Sequence, residues 1–84
     1  MKYEVIKKII DDWDPIDLSY FAPEDEYDPI SKKIAEIILK ISSEKLLGNI
    51  IFELFIESFG VNTFTKSLQE CEIIAHKLLS DHTS

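Results

Sequence analysis

The chain has 84 residues, 45% of them hydrophobic, with two glycines, three prolines and a formal net charge of −7, which describes one ordered globular domain rather than a disordered tail. Its single cysteine, Cys71, excludes an internal disulfide, and no apolar run approaches the roughly 18 residues of a membrane span. A secreted domain this small would usually carry several bridges, and the charged N-terminus has no apolar signal-peptide core, so a reducing cytoplasm is the expected compartment.

Helix 1 is predicted over about residues 2–12, where Tyr3, Ile6, Ile10 and Trp13 recur at helical spacing with Ile9 beside them. Its last turn carries Asp11 and Asp12, the wrong sign for a helix C-terminus. Each costs roughly 0.3–1 kcal/mol, and Lys7 and Lys8 four residues earlier offset only part of this. The helix stops at Trp13 or Asp14, because Pro15 pushes its predecessor out of the α region.

The connection that follows is the most unusual stretch. Residues 11–28 hold eight acids and no Lys or Arg, whereas the other 66 residues hold nine bases and eight acids. One segment therefore carries the whole negative field, which repels nucleic acid and anionic lipid and attracts basic surfaces. Pro15, Pro23 and Pro29 can each open a helical turn, with Asp14 and Asp28 placed to cap the first and the last, and acids are favourable in such first turns. Leu18, Tyr20 and Phe21 give the segment apolar anchors, so a structured connection is expected.

Helix 2 is predicted over about residues 29–41, with Asp28 as N-cap, Pro29 at the first position and Ile30, Ile34, Ile37, Ile38 and Ile41 as its inner face. Ser42 and Ser43 supply the next cap. Helix 3 then spans about residues 44–59, closed by Gly60. It is apolar nearly all round: Leu46, Ile50 and Leu54 share one face, Leu47 and Ile51 flank it, and Phe52, Phe55, Ile56 and Phe59 run round the back. Such a helix is either the central rod of a bundle or is covered by a second chain, so a monomer and a homodimer through Phe52, Ile56 and Phe59 are both expectations here. Helix 4, capped by Thr63 or Thr65, covers about residues 65–80 and turns Leu68, Cys71, Ile74, Ala75, Leu78 and Leu79 inward. The expected fold is a single all-α four-helix domain over residues 1–84, with one long structured connection between helices 1 and 2.

Trp13-Asp14-Pro15-Ile16, then Ala22-Pro23-Glu24-Asp25-Glu26-Tyr27-Asp28, an isoleucine-rich helix and a late Cys71-x-x-x-Ala75 together resemble a bacterial family known from Bacillus and its relatives, domain of unknown function 1871. The resemblance covers nearly the whole chain. It implies a small, all-helical, cytoplasmic protein and brings no catalytic residues with it. The Trp-Asp-Pro-Ile and Asp-Glu-Tyr elements are also similar to small immunity proteins encoded beside polymorphic toxins. In the first turn of helix 2 the chain departs from that pattern with Pro29-Ile30-Ser31, where an acid is expected.

Eight clustered acids invite a test for a metal site. Asp12-x-Asp14 begins like a calcium loop, but Pro15 follows, no Gly holds the sixth place and no Glu closes the twelfth. Cys71 and His76 lie about 140° apart round helix 4, so they cannot form a nucleophile–base pair on one face. Cys71 reads as a core residue, and Trp13 as the plug that ties the connection to the core. No phosphate loop, Cys/His cluster or nucleophile elbow is present. These residues point to a non-enzymatic domain without cofactor or metal. The expected partner is a basic protein, met through Asp11, Asp12, Asp14, Asp17, Glu24, Asp25, Glu26 and Tyr27, with neither nucleic acid nor membrane expected as a partner. The sharper expectation is an immunity-type inhibitor of a basic toxin; the alternative is an enzyme or divalent-cation binder built on the acidic loop.

Overall fold

The computed structural model describes residues 3–16 and 27–83. Among the described residues four α-helices follow one another: α1 (Tyr3–Trp13), α2 (Asp28–Ile37), α3 (Glu44–Phe59) and α4 (Leu68–Thr83). Among the described residues there is no strand, and the all-α four-helix expectation holds. No described helix is long and apolar enough to cross a membrane.

Each helix forms where its apolar spacing gives it one face to bury. Ile6 and Ile10 of α1, Ile30 and Ile34 of α2, and Cys71, Ala75 and Leu78 of α4 meet in one core around Leu47, Ile51 and Phe55 of α3. Leu68, expected on the inner face of α4, is instead 40% exposed. Helix 3 packs most intimately with α4. Gly48 permits that approach: a Cβ there would stand 2.8 Å from Glu72 Cγ and 3.0 Å from its Cα. Glu44 meets His76 one helical turn further along the same seam, so α3 and α4 run antiparallel.

Several helix ends differ from their sequence reading. Helix 2 does not stay α-helical to Ile41; it tightens into a 3-10 turn over Ile38–Lys40, and Ile41 is extended. Such tightening is a usual way to satisfy the last carbonyls of a helix. Asp28 does not act as an N-cap; it lies inside α2, and no side chain caps that end. Its carboxylate is taken by Lys7 from α1. Helix 3 has the expected ends, with Ser43 Oγ accepting from the Leu46 N–H and Gly60 at φ 87° closing the last turn. Helix 4 starts later than residue 65, because the cap is Ser67, whose Oγ accepts from the Glu70 N–H at 3.2 Å. Neither Thr63 nor Thr65 has that place. The N–H groups of Thr63 and Phe64 turn back onto the Gly60 carbonyl, and this turn drives the Phe64 ring into the core.

The back of α3 is partly covered from within the chain. Phe52 packs on Phe64, and Phe59 packs on Phe55 and Tyr27. Ile56 also lies half-buried against the core. Burial of α3 is still incomplete, since Leu46 is 51% exposed.

Candidate functional site

The acidic connection leaves α1 and enters α2 at one end of the bundle, and its two described flanks are tied together by side chains. The last bond of α1 runs from the Asp14 N–H to the Ile10 carbonyl at 3.1 Å. Asp14 then takes φ 44°, the only positive φ among the described residues other than glycine. Aspartate tolerates this left-handed conformation better than most residues, and it turns the chain sharply at the helix end. Pro15 follows, buried, with Ile16 half-buried against the core.

Across from this turn stands Tyr27. Its hydroxyl donates to Asp14 Oδ1 at 2.7 Å and accepts from the Ile16 N–H at 3.3 Å. The ring packs edge-on to Phe55 and Phe59 at 5.8 and 6.0 Å. The hydroxyl thus clasps the outgoing flank of the connection to the incoming one. Burial first, and the bond to Asp14 second, hold the Tyr27 pKa well above the usual tyrosine value. Trp13, one residue before the turn, packs edge-on to Phe55 and Phe64 at 5.4 and 6.0 Å, which bears out its placement against the core.

A second clasp lies on the outer side. Lys7 Nζ donates to Asp11 Oδ2 at 2.8 Å and to Asp28 Oδ1 at 2.9 Å, joining the end of α1 to the start of α2. The bonds to Asp11 and Asp28 raise the Lys7 pKa, and the bond from Lys7 holds the Asp28 carboxyl below its usual range. Tyr3 sits beside this group, its pKa raised by burial and then by the Asp28 carboxylate. Lys8 pairs with Asp12 at 3.2 Å in an exposed i, i+4 contact. Asp11 Oδ1 is buried with no hydrogen-bond partner among the described residues.

The residues assigned to a partner surface therefore divide. Asp12 is exposed, Asp11 and Asp14 are half-buried and engaged within the chain, and Tyr27 is 4% exposed. Tyr27 belongs to the packing against α3, not to a surface that a partner would touch. Asp17, Glu24, Asp25 and Glu26 lie outside the described residues. What the sequence reading missed is the lysine shared between Asp11 and Asp28. Local spacing shows the i, i+4 partner of Lys7, but a partner 21 residues away leaves no local signal.

Among the described residues, no group of three or more His, Cys, Asp or Glu side chains is placed to hold a metal ion. Cys71 is buried among apolar side chains, as expected of a core residue, and burial pushes its thiol up to about 12. His76 is exposed on α4, its Nδ1 on Glu44 and its Nε2 3.5 Å from Ser80 Oγ.

The model of a family described as a domain of unknown function (DUF1871) matches residues 5–83, the extent expected from the Trp13–Ile16 and Ala22–Asp28 resemblance. No curated protein and no solved structure matches the chain.

Proposed function

We propose that this chain, which belongs to the DUF1871 family, is a non-enzymatic protein-binding domain of the bacterial cytoplasm that engages a basic partner through the acidic face of residues 11–28. One observation carries the reading: eight acids and no base stand in eighteen consecutive residues, while the rest of the chain is close to neutral. Lys7 and Lys8 offset only two of those charges. A concentrated field of one sign steers an oppositely charged protein and raises its association rate more than its equilibrium affinity.

Asp11 adds support. It stands at the unfavourable end of the α1 dipole with one carboxylate oxygen buried and unpaired among the described residues, and both features work against folding. Residues that break local rules of stability are candidates for a role outside it. In this reading Asp11, Asp12, Asp17, Glu24, Asp25 and Glu26 meet the partner. Asp14 and Tyr27 tie the two flanks of the segment together. The packing of Phe52, Ile56 and Phe59 against the core supports a monomer over a homodimer through α3. The sharper form of the proposal is an immunity-type inhibitor of a basic toxin, for which rapid electrostatic capture is the useful property.

The test is parallel capture from the native host with two baits, the wild-type chain and a variant carrying Asp12→Asn, Glu24→Gln, Asp25→Asn and Glu26→Gln. The reading expects a basic protein on the wild-type bait that is depleted on the variant. Equal capture by both baits would leave the acids as a solubility device.

A further inference from the structure

We draw no further inference here: the strongest candidate, the exposed Glu44–His76–Ser80 run of contacts across the α3–α4 seam, carries nothing, because it lies on an open helix face and its serine stands in the last turn of α4, where the helix dipole opposes the oxyanion that a serine nucleophile would have to form.

Discussion

Replacing Tyr27 with Phe isolates the clasp at the base of the acidic connection. The ring stays, and with it the contacts to Phe55 and Phe59; only the hydroxyl goes. That hydroxyl makes a 2.7 Å bond to a carboxylate and a longer, weaker one from the Ile16 N–H. A hydrogen bond to a charged group is worth about 1.5–3 kcal/mol, and Tyr27 is buried enough that water cannot replace it. The expected loss is therefore about 1.5–3 kcal/mol, a substantial share of the roughly 5–10 kcal/mol of a domain this size. Urea unfolding followed by helical circular dichroism should show the midpoint falling by about 1–2 M with an unchanged slope. Asp14→Asn completes a double-mutant cycle, since an amide still accepts a bond but carries no charge. The two substitutions should be strongly non-additive, because each removes part of the same contact. A Tyr27→Phe midpoint equal to wild type, or effects additive within about 0.5 kcal/mol, would refute the clasp.

Trp13→Ala removes a half-buried aromatic from the faces of Phe55 and Phe64, and should cost about 2–3 kcal/mol, less than a fully buried tryptophan; an unchanged urea midpoint would place the indole on the surface instead. Gly48→Ala gains about 1 kcal/mol of helix propensity but forces a methyl against Glu72, where overpacking costs about 1–3 kcal/mol, so a net loss is expected. A raised melting temperature would show that α3 and α4 separate freely at that point. The depressed Asp28 carboxyl contributes stability that is present above its unfolded pKa of about 4 and is lost as pH falls through the lower folded value. Asp28→Asn should flatten the stability profile in that acid range, and a variant with the wild-type acid profile would remove the Lys7 bridge from the account.

How far the sequence can be read follows from where each determinant lies. The ends of α3 were legible because Ser43 and Gly60 act on their own neighbours, one by bonding the Leu46 N–H and the other by taking φ 87°. The Asp28 cap was misread because its competitor, Lys7, comes from another helix. Ser67-x-x-Glu70 is a local capping pattern and was readable in principle, but Thr63 and Thr65 offered the same chemistry a few residues earlier. The wrap-round apolarity of α3 left its cover open. Periodicity shows that Phe52 and Phe59 are apolar; it does not show that Phe64 and Tyr27, each beyond a helix end, fold back to meet them. At the candidate site, the concentration of charge was plain from composition alone. The division of its acids into exposed and internally bonded ones was not, because that depends on tertiary partners of Asp11, Asp14 and Asp28.

The ionic-strength dependence of the rate at which the chain associates with its captured basic partner tests the central claim most directly. Exposed charges are screened beyond a Debye length of about 8 Å at physiological salt. If the acidic face steers the partner, the association rate should fall steeply, by about tenfold or more between low and high salt, with little change in the dissociation rate. The variant with Asp12, Glu24, Asp25 and Glu26 neutralised should start slower and respond less to salt. An association rate that is independent of salt, and equal in wild type and variant, would contradict the account.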